Sequence, residues 1–345
     1  MKKIGIVTLN GNFNIGNRLQ NYALKKYLES LKLDVETIWF CRIKDRFIMI
    51  IKNIIFNFLI SSRGHNFRKF SKSYLNTKYF ASTNVSNRYD YIIVGSDQVW
   101  NYNFPGFSKT MFLDFSPYEK NIAYSASFGI DRIPTKYNNM YKNGLNNIKS
   151  LSVREDAGKK IVNDIVGRKD VEVLVDPTML LDKKEWDRVA KKPKKLNDSK
   201  YILLYFLGNI SKKRMDVINK YAKENNYEII NILDKESKFY SCGPAEFLYL
   251  EKHAELICTD SYHASVFSII YDRPFIIYDR DEKNHGNMGS RIDTLLSKLK
   301  INDRRYNGKS ITSKNLKHDY KKAYEVLKLE REKSKKYLKK SMNLK

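Results

Sequence analysis

The sequence has few cysteines and no pattern that would join them. Among 345 residues there are three, Cys41, Cys242 and Cys258, and their spacing does not resemble that of metal ligands. An odd number of widely spaced cysteines excludes a disulfide framework and a structural zinc site as organising features. We therefore predict that no metal is bound and that the protein works in a reducing cytoplasm.

Long apolar runs and internal repeats are also missing. The longest apolar run, residues 47–60, is too short to span a bilayer as a helix. The first residues, MKKIGIVTLNGNFN, carry only a short apolar run before polar residues, which is typical of a first strand and not of a secretory signal.

Acidic residues are scarce relative to basic ones. The chain has 64 Lys and Arg against 38 Asp and Glu, a formal net charge of +26. Such an excess predicts anionic partners. The basic residues are spread along the chain, rich in lysine, and not set in a known recognition motif, so nucleic acid binding is the weakest alternative and we predict no nucleic acid partner.

One apolar segment has the pattern of a helix that lies in a membrane interface. Within residues 46–61 the polar positions Arg46, Lys52, Asn53, Asn57 and Ser61 fall on one narrow helical face, and basic residues flank both ends. An apolar face bordered by lysine and arginine favours docking on an anionic membrane surface. A helix packed on its own domain, or one that covers a dimer contact, remains open as an alternative.

Strand and helix patterns alternate from end to end, which predicts an α/β protein with mostly parallel sheets. We expect two doubly wound, Rossmann-like domains facing a cleft, at residues 1–185 and 200–312, because the chain is too long for one core. Polar residues 182–200 would connect them, and 313–345 would form a basic helix. The predicted strands are 4–9, 35–40, 91–94, 122–125, 151–153, 171–175, 201–209, 228–233, 254–260 and 274–279.

Polar residues interrupt the apolar pattern where several predicted strands end. Thr259 to His263 separate a short apolar run from a helical pattern, which predicts a strand-to-helix turn. In an open α/β sheet this is the edge where ligands bind, and the first amides of the helix favour an anion. A structural histidine is an equally good interpretation of His263 by its position alone.

Three further strand ends carry similar clusters. After the first strand, Asn14, Asn17 and Gln20 surround a helix start, either as a ligand loop or as a loop capped by asparagines. Asp97 and Trp100 offer a carboxylate and an aromatic face, which suit a sugar. Arg154 follows another strand, where a planar guanidinium can bind carboxylate or phosphate, or form a surface pair with Glu155.

In combination these stretches resemble the polysaccharide pyruvyl transferase family. The resemblance rests on their order along nearly the whole chain: NFNIGNRLQNYAL, DYIIVGSDQVWN, AYSASFG, LSVREDAG, VLVDPTMLL and TDSYHASVFSII. The family is similar in fold to two-domain glycosyltransferases of the GT-B type. It implies transfer of pyruvyl carbons from phosphoenolpyruvate to two hydroxyls of one sugar, giving a cyclic ketal and phosphate, with no cofactor. The implied acceptor is a polymeric or lipid-linked oligosaccharide at the inner face of the cytoplasmic membrane.

The resemblance also implies roles for single residues. Arg154 and His263 match family positions and would act in catalysis with Asp97, a base for the acceptor hydroxyl. Donor binding would use Arg154, Ser261, His263 and Arg291. Acceptor binding would use the following six residues: Asn14, Asn17, Gln20, Ser96, Asp97 and Trp100.

The sequence departs from the family at one position of this site. Ser261 stands where many members have an arginine, two residues before the histidine, and Arg291 is the substitute we expect for its charge. A GT-B glycosyltransferase that uses a nucleotide sugar is the nearest alternative. Such an enzyme needs a carboxylate for the ribose, and Asp260 is the only candidate in the polar string.

Overall fold

The computed structural model describes residues 1–9, 14–41, 62–104, 106–280 and 289–344. The chain divides into two compact units. Unit 1 comprises Met1–Ser61, Phe67–Leu181 and Leu329–Lys345, and unit 2 comprises Ser62–Asn66 and Asp182–Lys328. The change of unit thus falls at 181/182, close to the predicted boundary, and the last seventeen residues are assigned with the first unit instead of forming a separate body.

The sheet of unit 1 has seven strands, all paired in parallel, in the order β3-β2-β1-β4-β5-β6-β7. Its central strands are apolar on both faces, which is typical of a parallel sheet covered by helices. The strands are β1 Lys3–Val7, β2 Asp34–Phe40, β3 Thr77–Phe80, β4 Tyr91–Asp97, β5 Asn121–Ala126, β6 Ser150–Val153 and β7 Glu172–Val173.

The sheet of unit 2 has four parallel strands in the order β11-β10-β8-β9. They are β8 Tyr201–Tyr205, β9 Glu228–Asn231, β10 Leu256–Thr259 and β11 Phe275–Ile277. Ile202, Leu204, Leu256 and Cys258 belong to one buried apolar cluster of this unit. The sheet therefore carries the core of unit 2.

Helices connect the strands in both units. Among the described residues they are α1 Ile15–Ser30, α2 Ser62–Tyr74, α3 Asn138–Asn146, α4 Asp156–Val166, α5 Lys183–Asp187, α6 Lys212–Glu224, α7 Pro244–His253, α8 Tyr262–Ile270, α9 Ser290–Leu299, α10 Ser313–Leu316 and α11 Lys321–Ser341. Asn14 caps α1 by accepting a hydrogen bond from the Asn17 amide at 3.1 Å. This bond satisfies one of the free amides at the helix start.

The C-terminal helix adds contacts to the sheet layer of unit 1. The Tyr337 hydroxyl donates to the Ala123 carbonyl at 2.9 Å, and Arg331 donates to the carbonyls of Met179 and Leu181. The basic helix was predicted for 313–345, and the structure instead has the four-residue α10 followed by α11 from Lys321. The part of α11 around Arg331 and Tyr337 is therefore held by buried and half-buried hydrogen bonds.

Strand order defines one switch point in each sheet. In unit 1 the order reverses between β1 and β4, and in unit 2 between β8 and β10. Ligands of open α/β sheets bind outside the carboxyl ends of the strands at such points. The loops after β1, β4, β8 and β10 are therefore where a site is expected.

One strand of the fold was not predicted from the sequence, and one predicted helix cannot be compared with the structure. Strand β3 was not predicted, because its four residues are half-buried or exposed and carry no apolar run. The predicted membrane-interface helix at 46–61 lies outside the described residues. Within the ranges that are described, no helix is both long and apolar enough to cross a membrane.

Candidate active site

The switch point of unit 1 is organised by a buried threonine. The Thr8 hydroxyl lies 3.0 Å from the carbonyl oxygens of Gly95 and Ser96, which joins β1 to the end of β4. Gln20 donates to the Thr8 hydroxyl at 2.9 Å and to the Asn17 carbonyl at 3.1 Å. The Asn17 side-chain oxygen has no hydrogen-bond partner among the described residues. The Gln20 side-chain oxygen likewise has none, so two buried amide oxygens near the start of α1 are left to accept a ligand group.

Asp97 ends β4 in an unusual backbone conformation. Its φ angle is 75°, a region that residues other than glycine seldom occupy. One carboxylate oxygen accepts from the Gln98 amide at 2.8 Å, while the other is buried and has no partner in the described chain. Strain of this kind persists where the surroundings enforce it, often at functional sites. The geometry therefore leaves one buried acceptor oxygen without a partner at the switch point.

Arg154 follows β6 and is held inside unit 1 by an ion pair. Its guanidinium donates to Asp176 at 2.8 Å and lies 3.7 Å from the Asp97 carboxylate. Asp176 is fully buried and also accepts from the Ser96 hydroxyl at 2.6 Å and from Thr178. The carboxylate of Asp176 therefore balances the positive charge of Arg154. Held in this way, the Arg154 guanidinium orients Asp97.

The surface pair between Arg154 and Glu155, considered from the sequence, does not occur. Glu155 is fully buried, and one of its oxygens accepts from the Ser127 hydroxyl and from the amides of Phe128 and Gly129. This carboxylate fixes the loop after β5. Its role is structural.

Arg18, in the first turn of α1, adds a second basic group to unit 1. Its guanidinium lies 5.8 Å from the centre of the Phe67 ring, and burial lowers the pKa of Arg18 to about 10. At neutral pH the side chain still carries its charge. It therefore adds a positive charge near the start of α1.

The strand-to-helix turn predicted at 259–263 is present in unit 2. The Thr259 hydroxyl donates to the Tyr205 carbonyl at 2.5 Å and accepts from the Ser261 amide at 2.9 Å. Ser261 precedes α8 and accepts from the Ala264 amide at 3.5 Å. His263 is the second residue of α8, is 7% exposed, and meets the Tyr262 ring edge to face. The polar string is a helix start at the switch point of this sheet.

Arg280 is a functional candidate that the sequence did not indicate, and its partner Asp260 was considered there only as a ribose ligand. The Asp260 carboxylate accepts from the amides of Leu207 and Gly208 at 2.7 and 2.8 Å, and from Arg280 at 2.9 Å. A Cβ atom on Gly208 would lie 3.2 Å from that carboxylate, so the loop backbone approaches closely. Arg280 thus places a cation beside Asp260, the residue that precedes Ser261. The sequence signal was an arginine three residues after β11.

Three predicted acceptor-binding residues do not offer an open side chain. Trp100 is fully buried, its indole donates to the Met111 carbonyl at 2.8 Å, and its ring stacks on Phe112. Ser96 and Gln20 are also fully buried in the contacts given above. The predicted stacking of a sugar on Trp100 is therefore wrong for this structure, and Ser96 and Gln20 support the loops instead.

The remaining predicted residues keep their candidate status. Asn14 is half-buried at the start of α1, and Arg291 is the second residue of α9 and 7% exposed. Within the described ranges, no three His, Cys, Asp or Glu side chains are grouped so as to hold a metal ion. The candidate groups are thus carboxylate, amide, imidazole and guanidinium side chains.

Two solved structures are similar to this chain at low sequence identity. A Listeria monocytogenes protein described as a UDP-N-acetylglucosamine 2-epimerase is 10% identical, with 97% of this chain and 91% of that chain covered and a TM-score of 0.53. The S. aureus MnaA protein, in a co-structure with UDP, is 13% identical over 95% of both chains, with a TM-score of 0.48. The first comparison shows a shared fold and nothing of activity. The predicted α/β class with Rossmann-like, GT-B-type architecture is confirmed.

The family follows from the match to a family model. The model described as polysaccharide pyruvyl transferase matches residues 14–282, well over half of the chain. The chain belongs to the polysaccharide pyruvyl transferase family and is a transferase, as its motifs predicted. No curated protein matches it. The matched range contains Asn14, Asp97, Arg154 and His263, and Arg291 lies beyond it.

Proposed function

We propose that this protein transfers a pyruvyl group from phosphoenolpyruvate to a sugar and forms a cyclic ketal. The acceptor is a sugar of a bacterial surface polysaccharide or of its lipid-linked precursor. Family membership supports a polysaccharide acceptor. The single observation that carries the proposal is the unpartnered, buried oxygen of Asp97 at the switch point of unit 1. It is where a base for a hydroxyl would be placed.

The proposed reaction fixes what the residues must do. The methylene carbon of phosphoenolpyruvate gains a proton and becomes a methyl group, while the neighbouring carbon forms bonds to two sugar oxygens and loses phosphate. Of the two hydroxyl protons, one replaces the proton consumed at the methylene and the other leaves with phosphate. The protein therefore needs a base for the acceptor and donors for an anionic leaving group.

Unit 1 supplies the base in this proposal. Asp97 is held by the Gln98 amide and lies 3.7 Å from Arg154, so one oxygen is fixed and the other is directed to a hydroxyl. Asn17 adds an acceptor oxygen for a second hydroxyl. Arg154, through its pair with Asp176, acts as a positioning residue for Asp97. The donor-binding role of Arg154 stays a prediction.

Unit 2 supplies groups that suit the anionic donor. The start of α8 presents backbone amides, and anions bind at such helix starts. His263 and Ser261 lie in this first turn, and Arg280, bound to the adjacent Asp260, brings a guanidinium. We infer that Arg280 takes over the charge that Ser261 lacks. Arg291 is the alternative for the same charge. No cofactor enters the proposal, since phosphoenolpyruvate is itself a substrate.

A nucleotide-sugar glycosyltransferase is a weaker alternative. Its ribose carboxylate would have to be Asp260, whose two oxygens already accept three hydrogen bonds from Leu207, Gly208 and Arg280. A ribose would have to displace at least one of them. This favours phosphoenolpyruvate, which has no ribose, over a nucleotide sugar.

A lipid-linked acceptor would bring the enzyme to the inner face of the cytoplasmic membrane. The net charge of +26 supports attraction to an anionic leaflet. Flotation with vesicles of zwitterionic lipid, with and without anionic lipid, tests this at rising salt, because salt screens the charge term. Protein that stays unbound with both kinds of vesicle at low salt contradicts the peripheral location.

The activity is tested with purified protein and candidate lipid-linked oligosaccharides. We expect phosphate release from phosphoenolpyruvate and a product that is heavier by one pyruvyl ketal, with no turnover of nucleotide sugars. His263→Ala should abolish the transfer, and Ser261→Arg should tighten donor binding. Sugar transfer from a nucleotide sugar, without use of phosphoenolpyruvate, would refute the proposal.

A further inference from the structure

Unit 2 contains a pocket of about 340 Å³ with five lysines among its twelve lining residues. We call it the lysine pocket and define it by these residues: Lys191, Lys192, Lys194, Lys195, Lys238 and Glu246. It shares no residue with the candidate active site. Its lining carries five ammonium groups and one carboxylate, so an unoccupied pocket keeps like charges close together at a cost in free energy.

Two separate chain segments form the walls of the lysine pocket. The first is a turn after α5, in which the Lys191 amide donates to the Ala245 carbonyl at 2.9 Å and the Leu196 amide donates to the Pro193 carbonyl at 3.1 Å. Pro193 is buried, while the four lysines around it are exposed. Lys238 belongs to the second segment. The lysines of the pocket thus come from a hydrogen-bonded turn that faces a second chain segment, and not from one solvent-exposed helix face.

Carboxylates near the lysine pocket neutralise it only in part. Lys238 pairs with Glu228 at 2.9 Å. The Glu246 carboxylate accepts from the Gly243 amide at 3.1 Å as part of the cap of α7. Lys192 pairs with Asp198, whose side chain is 98% exposed, and such surface pairs contribute about 0–1 kcal/mol. Within the described ranges, Lys191, Lys194 and Lys195 form no ion pair.

Backbone carbonyls on the second wall are also occupied, so they would not repel an anion. Arg63 donates to the carbonyls of Tyr240 and Cys242 at 2.9 and 3.1 Å. Asn66 donates to the Ser241 carbonyl at 2.8 Å. The acceptor oxygens of residues 240–242 are therefore turned to partners inside unit 2, and the lysine ammonium groups dominate the potential of the pocket.

A second basic surface in unit 1 offers a comparison. Lys335, Lys336, Lys339 and Lys340 line an open pocket beside Tyr27, but all four come from one helix, α11. Glu332 lies on the same lining and pairs with Lys335 at 3.0 Å. This surface has an equal number of lysines to remove, and its second segment, the end of α1 with the residue that follows it, contributes Tyr27 and Leu31 to the lining and no lysine. It serves as the matched control.

We propose that the lysine pocket is a binding site for a phosphate-class polyanion, either a diphosphate or a phosphate monoester that carries two negative charges. Several lysines from two walls can surround the oxygens of such a group. A ligand with a single carboxylate would have too few oxygens to pair with most of these lysines. The proposal rests on the pocket alone and does not depend on pyruvyl transfer. The phosphate could be a free solute or a lipid headgroup, and the test separates the two.

The test measures binding of inorganic diphosphate by calorimetry and of vesicles by flotation. The vesicles contain zwitterionic lipid with or without phosphatidic acid, which bears a phosphate monoester. The quadruple variant Lys191→Gln, Lys192→Gln, Lys194→Gln, Lys195→Gln should weaken diphosphate binding by about tenfold or more, because four of the five ammonium groups are lost. The control variant with Gln at 335, 336, 339 and 340 loses the same charge and should change binding by less than about twofold.

A second measurement does not depend on variants. In the wild-type protein, diphosphate should slow acetylation of the lysines at 191–195 and leave that of the lysines at 335–340 unchanged. If diphosphate protects the lysines but vesicles do not bind, the ligand of the pocket is a free phosphate. If the protein also binds vesicles that contain phosphatidic acid, the ligand is a lipid headgroup. The proposal is overturned if neither diphosphate nor the vesicles bind. It is also overturned if the two variants lose the same amount of diphosphate binding.

Discussion

Replacing Asp176 by alanine tests the buried network that supports Asp97. Asp176 is fully buried and accepts from Arg154 at 2.8 Å, from the Ser96 hydroxyl at 2.6 Å, and from the Thr178 amide and hydroxyl at 2.9 and 2.6 Å. Its removal takes the shorter of two described ion pairs from a guanidinium that is 3% exposed, and leaves Asp97 at 3.7 Å. Breaking a buried pair from one side costs about 3–5 kcal/mol.

We therefore expect Asp176→Ala to lower the free energy of unfolding of unit 1 by about 4 kcal/mol. The matched control is Asp170→Ala, since Asp170 pairs with Arg168 at 2.8 Å but its side chain is 64% exposed. The hydrogen bond from Arg168 lowers the pKa of Asp170. Solvent weakens such a pair, so the control should lose about 1 kcal/mol or less.

The assay is hydrogen exchange at rising urea, read by mass spectrometry on separate peptides. Peptides of β4 and β5 report on unit 1, and peptides of β8 and β10 report on unit 2 as an internal reference. This avoids the assumption that both units unfold in one step. A loss below about 1 kcal/mol in unit 1, no larger than that of Asp170→Ala, would refute the reasoning that Asp176 balances a buried charge.

Three further predictions address single residues. Asp97→Gly should keep the fold, because glycine accepts a φ of 75° without strain, and should abolish transfer in the phosphate-release assay; retained transfer contradicts a base role. Burial raises the pKa of Glu251 well above its usual range, with a hydrogen bond from the Ser268 hydroxyl as a smaller opposing cause. Stability from a raised carboxyl pKa is complete below the unfolded-state pKa, about 4.3, and is lost as pH rises through the folded-state pKa. Glu251→Gln should therefore stabilise unit 2 more at pH 8 than at pH 5 in urea titrations. An equal change in stability at the two pH values argues against a raised pKa of Glu251. Trp100→Phe leaves the Met111 carbonyl without its donor, so it should lower the free energy of unfolding by about 1–3 kcal/mol with an unchanged KM for the acceptor; a large rise in KM would restore the sugar-stacking role.

The sequence predicted features that depend on local patterns. The turn before α8 was predictable because polar residues from Thr259 to His263 separate an apolar strand from an apolar helix face. The parallel sheets were predictable from apolar runs that alternate with helical spacing. Strand β3 was not, since its residues are largely outside the core and carry no such run.

Features that depend on contacts between distant residues could not be predicted. Asp176 lies 80 positions from Ser96, and nothing in the motif VLVDPTMLL names the partner of its carboxylate. Trp100 was assigned to a sugar because an aromatic face beside the carboxylate of Asp97 suits one, whereas the loop after β4 turns its indole onto Phe112 in the core. Arg280 was missed for the same reason, because its relation to Asp260 exists only once β10 and β11 are paired.

The most direct test of the account follows the carbon that would become the ketal. Phosphoenolpyruvate labelled with ¹³C at its central carbon is incubated with the protein and an oligosaccharide acceptor, and the product is examined by NMR. We predict a quaternary labelled carbon bonded to a methyl group and coupled to protons at two positions of one sugar ring, together with released phosphate. A labelled carbon that remains in an enol ether, or never leaves phosphoenolpyruvate with any acceptor offered, would contradict ketal formation by this protein.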